Sequence, residues 1–221
     1  MNITYRVGNG LYINMTNRCT NDCIFCIRKL CDSVGDAVSL WLDSEPSREE
    51  VLNDVLKHDL SEFEEIVFCG FGEPTERLDD LLWICKKIKQ VKNIPIRVNT
   101  NGHANLIAGY DTTGLFRGLV DKINISLNAA DAREYNELSK PVFGIDAYQG
   151  MLDFIISYVA VFVFLGLTAY NTQNTKNMLR RANEASQHDA IARISVISAL
   201  SLYLNFINLF LRILAILGRR R

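Results

Sequence analysis

Short β-branched runs alternate with amphipathic stretches through the first 154 residues, the pattern of an α/β domain built from parallel strands. Leu11 to Thr16 reads as a first strand, followed by a long cysteine-bearing loop. Ser47-Arg48-Glu49-Glu50 is a capping-box pattern, in which hydroxyl and carboxylate satisfy free helix-end amides, ahead of Val51, Leu52, Val55 and Leu56. A helix is expected there. Glu65 to Gly70 reads as a second strand, and Leu78, Leu81, Leu82, Cys85 and Ile88 then recur on one helical face. Pro95 to Thr100 is a third strand and Asp121 to Leu127 a fourth, with less regular helical pieces around them, including Ala130 to Leu138.

From about Ile155 the pattern changes. Phe154 to Thr175 is 22 residues without a charge, and Ile194 to Leu211 is another 18, bracketed by Arg193 and Arg212. A membrane span needs about 20 apolar residues to cross about 30 Å of hydrocarbon, so both runs read as transmembrane-type helices in a lipid bilayer. Two buried helices of a soluble domain would show a polar face that these runs lack. No period of 20 to 50 residues, as a repeat architecture would show, is present.

Composition sharpens this division. The 221 residues carry a net charge of -1, which argues against a nucleic-acid partner. The near-neutral sum hides an asymmetry, because residues 1 to 154 hold 16 Lys+Arg against 23 Asp+Glu, while 155 to 221 hold 8 against 2. All six cysteines (Cys19, Cys23, Cys26, Cys31, Cys69, Cys85) fall in the acidic part. With no signal-peptide pattern at the start, a reducing cytoplasm and free thiols are expected.

Cys19-Thr20-Asn21-Asp22-Cys23-Ile24-Phe25-Cys26 places three thiols at C-x3-C-x2-C spacing. A cubane iron–sulfur cluster usually takes four thiolates, so three would leave one iron free for another chelator. Zinc is the competing reading if Cys31 completes a four-cysteine set, although structural zinc favours two separated pairs and no second C-x2-C occurs. Cys69 and Cys85 read as small hydrophobes, and Cys31 reads either as a plain thiol or as that fourth ligand. His58, His103 and His188 form no metal-binding constellation and read as ordinary surface or core residues, so none is assigned to catalysis.

The three-cysteine loop after the first strand, with Cys69-Gly70-Phe71-Gly72-Glu73-Pro74 after the second, resembles the radical S-adenosylmethionine (SAM) enzymes. Tyr5-Arg6-Val7-Gly8-Asn9-Gly10-Leu11-Tyr12-Ile13-Asn14, leading into Asn17-Arg18-Cys19, looks more closely like the TatD-associated radical SAM proteins over residues 1 to about 154. The resemblance implies a partial (β/α) barrel of about four βα units. It also implies a 4Fe-4S cluster on Cys19, Cys23 and Cys26, with SAM on its open iron and Phe25 near the adenine. Gly70, Phe71, Gly72, Glu73 and Pro74 would match the motif that receives the methionine ammonium; glycine, lacking a Cβ, allows close backbone approach. Asn99 and Thr100, closing the third strand, and Ser126 and Asn128, closing the fourth, fall where relatives hold the ribose and carboxylate of SAM. Taken singly these are also ordinary turn residues. All four elements fall at carboxyl ends of strands, which in a parallel barrel share the face where active sites assemble. The implied chemistry is reductive cleavage of SAM to a 5'-deoxyadenosyl radical that abstracts a hydrogen atom from an unknown substrate, the electron coming from a separate donor.

Gly166-Leu167-Thr168-Ala169-Tyr170-Asn171-Thr172-Gln173, then Ala199 to Phe210 and Arg219-Arg220-Arg221, resembles the end of Bax inhibitor family membrane proteins, over about Ile155 to Arg221. The resemblance implies the last two of about seven helices, in a family associated with a pH-sensitive calcium leak. Asn171 and Asn205 stand where that family typically carries aspartates, and an amide cannot titrate. The expected organisation is a fused chain, 1–154 and 155–221, with its junction between Gly150 and Ser157. A cytoplasmic first domain would place Lys176, Arg180, Arg181 and Arg193 outside, against the positive-inside tendency. Two function classes compete: a membrane-tethered radical SAM enzyme or its truncated remnant, and a subunit of an ion leak or channel.

Overall fold

The computed structural model describes residues 2–184 together with Tyr203 and Ile207; the side chains of 160–169, 171, 178, 179 and 181–184 are outside that description. The chain divides into two compact units, Met1–Ile155 and Ile156–Arg221.

The first unit is built on a five-stranded sheet ordered β1-β2-β3-β4-β5. Its strands are β1 (Thr4–Val7), β2 (Gly10–Ile13), β3 (Glu65–Phe68), β4 (Ile96–Thr100) and β5 (Lys122–Ile125). From β2 onward all neighbours are parallel, but β1 pairs antiparallel with β2 through a turn at Gly8-Asn9. The sheet is therefore mixed, and the expectation of parallel strands alone is corrected at its first edge. The first parallel strand also ends earlier than the hydrophobic run suggests. The Asn14 side chain is buried and donates to the Leu40 carbonyl at 2.7 Å, which draws Asn14 to Thr16 into the following loop.

Register makes the two faces of the sheet chemically different. Leu11, Ile66 and Ile96 align in one row, and Ile13, Phe68, Val98 and Ile123 in the next. The intervening row holds Tyr12, Val67, Arg97 and Lys122, and Asn99 pairs with Asn124. One face is thus apolar and the other largely polar, as period-two alternation requires. Helix α1 (Arg48–Leu56) buries Val51 and Val55, and α2 (Leu78–Val91) buries Leu78, Leu81, Ile84, Cys85 and Ile88. Truncating Ile84 to Ala would cost about 2–5 kcal/mol, the usual range for a fully buried aliphatic side chain. The Ser47–Glu50 capping box forms as the sequence indicates.

Short helices α3 (Ala104–Ala108) and α4 (Ala132–Ser139) follow β4 and β5. Helix α5 (Asp146–Glu184) is 39 residues long, about 58 Å at 1.5 Å per residue. It begins before the change of composition at Ile155, because Ala147, Met151 and Phe154 recur at i, i+4 and i+7 and are fully buried. Ala147 and Met151 pack with Tyr135 and the half-buried Ile125 at the end of β5, and the Phe154 ring meets Phe116 edge-on at 6.0 Å. Among the described residues no helix is long and apolar enough to cross a membrane. Of the two expected spans, Phe154–Thr175 is helical in its backbone, but the side chains of 160–169 and 171 lie outside the described residues. Ile194–Leu211, with Asn205, lies outside them except for Tyr203 and Ile207, which are helical.

Candidate active site

The carboxyl ends of β2 to β5 release the four polar segments singled out in the sequence, and the structure brings three of them into one hydrogen-bonded system. Its centre is Glu73, 4% exposed, in the loop after β3. One carboxylate oxygen accepts from the Thr75 amide (3.0 Å), the Thr75 hydroxyl (2.7 Å) and the Thr100 hydroxyl (2.7 Å); the other accepts from the Asn101 amide at 2.7 Å. Burial pushes the Glu73 carboxyl up from its ordinary range, while these four donors pull against it. The side chain thereby ties the β3 loop to the end of β4. The Glu73 amide in turn donates to the Arg18 carbonyl at 2.8 Å, fixing the root of the cysteine loop.

The glycines flanking this loop are close-approach positions. A Cβ on Gly72 would lie 2.2 Å from the Thr16 carbonyl oxygen and 2.5 Å from that of Arg18, and one on Gly70 would lie 2.1 Å from Asn14 Oδ1. What approaches is the protein's own cysteine-loop stem. The buried Phe71 packs with Tyr5, Ala37 and Leu40 and meets the Trp41 ring at 5.2 Å, and Pro74 is buried at the start of a 3-10 turn. Asn99 accepts from Arg97 at 2.9 Å, and Arg97 is itself paired with Glu65 at 2.6 Å. Phe25, Ser126 and Asn128 are exposed. Asn128 adopts φ 58°, a left-handed conformation that asparagine tolerates better than most residues.

Cys19, Cys23 and Cys26 are unpaired and partly exposed, as are Cys31 and Cys69; Cys85 is buried within α2. Burial pushes the Cys19 thiol up to about 11; the Asn21 amide lowers it, while the Glu73 carboxylate raises it further. Cys23 is also raised by burial, with the Ser139 hydroxyl pulling it down. Cys26 caps a single 3-10 turn, Ile27–Lys29, and the Cys31 thiol faces the Ile27 carbonyl at 3.7 Å. Among the described residues no three His, Cys, Asp or Glu side chains are grouped closely enough to hold a metal ion. The donor set nevertheless suits an iron–sulfur centre chemically: three partly exposed soft thiols on one loop, with one buried polar atom without a partner, Asn21 Oδ1, between the first two of them in sequence.

The loop is clamped along its length. The Asp22 amide donates to the Ser139 carbonyl (3.0 Å), the Ile24 amide to Leu138 (2.9 Å) and the Val142 amide to Thr20 (2.8 Å), so Thr20–Ile24 runs along the end of α4. Residues the sequence reading passed over hold it from beneath. His103 is fully buried, its Nδ1 3.0 Å from Thr20 Oγ1 and its Nε2 3.1 Å from the Tyr135 hydroxyl. Burial lowers its pKa to about 4, so it is neutral near pH 7. Asn-Gly-His after a strand gave no signal of this, because Tyr135 is a long-range partner. Of the other histidines, His58 lies 3.0 Å from Thr4 Oγ1, and His188 is outside the described residues.

A mixed α/β sheet, parallel from β2 onward, with a three-thiol loop and a Gly-Glu-Pro turn at its carboxyl edge defines a class of fold and site. Residues 13–148 match the model of the radical SAM superfamily, and the chain belongs to that superfamily. Residues 142–221 match the model described as inhibitor of apoptosis-promoting Bax1. Curated relatives share this second segment. The inner membrane protein YbhL of Escherichia coli is 47% identical over 66 residues, which cover 30% of this chain and 28% of that protein. An uncharacterized protein of Borreliella burgdorferi is 44% identical over 70 residues, covering 32% and 29%. An uncharacterized membrane protein of Streptococcus pyogenes is 41% identical over 70 residues, again covering 32% and 29%. The chain thus spans less than a third of the length of these relatives. No solved structure matches.

Proposed function

We propose that the chain is a radical SAM enzyme of the TatD-associated kind, in which Cys19, Cys23 and Cys26 hold a 4Fe-4S cluster and a C-terminal membrane segment tethers the domain at the cytoplasmic face of a bilayer. The observation that carries this reading is the trio of unpaired thiols on one loop, rooted through Arg18 to Glu73 at the carboxyl edge of the sheet. A cluster held by these three thiols, with SAM bound beside it, would supply one-electron reductive chemistry for hydrogen-atom abstraction from the substrate. The protein's own work is to bind and orient. Phe25, Ser126 and Asn128, being exposed, are assigned to SAM contact, whereas Gly70 and Gly72, closely approached by the cysteine-loop stem, are assigned to the framework. Phe71, Glu73, Pro74, Asn99 and Thr100 are assigned to shaping the floor beneath it, since their side chains are engaged within the protein. An external electron donor and a substrate of unassigned identity complete the system.

The test is anaerobic SAM cleavage to 5'-deoxyadenosine under strong reductant, with Cys23→Ala as control. The reading expects product from the wild-type chain and none from the variant; equal product from both would refute it.

The match over 142–221 supports a second reading, in which the C-terminal segment acts as a subunit of a Bax inhibitor-type ion leak and the N-terminal domain is not catalytic. Calcium flux in proteoliposomes that survives loss of residues 1–154 would favour it over the enzyme.

A further inference from the structure

The cysteine loop is fixed by a buried chain of hydrogen bonds that runs through His103. The His103 amide donates to Asn101 Oδ1 at 3.0 Å, which fixes the orientation of that amide group. Asn101 Nδ2 therefore faces Thr20 Oγ1, at 2.7 Å, and an amide nitrogen can only donate. The same Thr20 hydroxyl lies 3.0 Å from His103 Nδ1. The other ring nitrogen, Nε2, lies 3.1 Å from the Tyr135 hydroxyl, so the imidazole bridges the two hydroxyls. Tyr135 is fully buried in the middle of α4, and its oxygen also receives Asn21 Nδ2 at 3.0 Å. Both ends of the chain thus close on the same loop, at Thr20 and at Asn21, the two residues after Cys19.

We propose that His103 is a positioning residue that locks the Cys19–Cys26 loop between the end of β4 and helix α4. Thr20, Asn101 and Tyr135 are its partners. The imidazole is the only member that spans the gap between Thr20 and Tyr135, accepting at one nitrogen and donating at the other. Neither a hydroxyl nor an amide of ordinary length presents an acceptor and a donor across a rigid ring. Edge contacts from Tyr135 at 6.0 Å and Phe143 at 5.8 Å hold the ring plane. The role rests on the radical SAM reading only for what the loop carries. The lock itself is a property of the polypeptide.

Two measurements on the full-length chain in detergent test it. Side-chain nitrogen shifts of histidine-labelled wild-type protein, assigned by comparison with His103→Phe, should report one protonated and one accepting ring nitrogen at pH 7; a doubly protonated ring would overturn the proposal. Amide exchange supplies the second. In His103→Phe, and in Thr20→Val should the first variant not fold, the Asp22 and Ile24 amides should exchange roughly tenfold faster, which corresponds to about 1.4 kcal/mol of lost local protection, while α2 amides keep their rates. Unchanged exchange at Asp22 and Ile24 would refute the lock. Iron content after anaerobic reconstitution, read on the same samples, separates the two ideas. A wild-type chain that takes up no iron counts against the enzyme reading and leaves the exchange result standing.

Discussion

The loop after β2 and the loop after β3 leave neighbouring parallel strands and are both held by buried hydrogen bonds, yet they end in opposite states. In the β3 loop the buried carboxylate of Glu73 accepts four hydrogen bonds, Phe71 packs in the core, and the space beside Gly70 and Gly72 is filled by Asn14, Thr16 and Arg18. In the β2 loop three thiols stay accessible, Ile24, Phe25 and Ile27 are each about half exposed, and Asn21 Oδ1 lacks a partner. A segment whose groups are all satisfied internally supports its neighbours. One that keeps soft donors and unpaired acceptors at a fixed place retains capacity for a ligand. The difference agrees with the proposal in which the β3 loop is framework and the β2 loop binds the cofactor.

Removing Glu73 should have the largest effect on this contrast. Glu73→Ala strands donors on Thr75, Thr100 and Asn101 in the interior and is expected to cost about 3–5 kcal/mol, read from the denaturant midpoint of the full-length chain. Gly72→Ala, which drives a methyl group into the Thr16 and Arg18 carbonyls, should follow at about 2–3 kcal/mol by the same measurement. A pH series comes next. His103 has its folded pKa depressed to about 4 from an ordinary 6.5, so the unfolded chain binds the proton first as pH falls. The stability it contributes is fully present above about pH 6.5 and is lost progressively towards pH 4, by up to about 3 kcal/mol for a shift of this size. His103→Phe should flatten that part of the pH dependence. The smallest effect is expected from the other loop: Cys23→Ala should change stability by less than about 1 kcal/mol, since no packed core depends on that side chain. A loss there as large as that of Glu73→Ala would erase the distinction.

Much of the framework was legible in local patterns. The Ser47–Glu50 box, the single apolar face of α2 and the positions of the four parallel strands follow from spacings within a dozen residues. Strand β1 was not read, because Val7-Gly8-Asn9-Gly10 served as part of a motif although it also contains the turn of a hairpin. The start of α5 was misjudged for a related reason: hydropathy marks Ile155, whereas burial of Ala147, Met151 and Phe154 extends the helix back to Asp146. In the site, the cysteines and the Gly-Glu-Pro turn announced themselves by residue type. The saturation of Glu73 and the bridging role of His103 did not, because they depend on Thr100, Asn101 and Tyr135 arriving from other elements. Residue type told which groups could bind, and tertiary contacts told which were still free to.

The central claim is that three thiols, and only three, form the cofactor's protein ligands. Iron and acid-labile sulfide should therefore be measured after anaerobic reconstitution of the wild-type, Cys31→Ser and Cys23→Ala chains. The account predicts about four of each per chain in the first two, as a 4Fe-4S site requires, and a clear loss in the third. A colourless, zinc-loaded wild type, or an equal loss in Cys31→Ser, would contradict it.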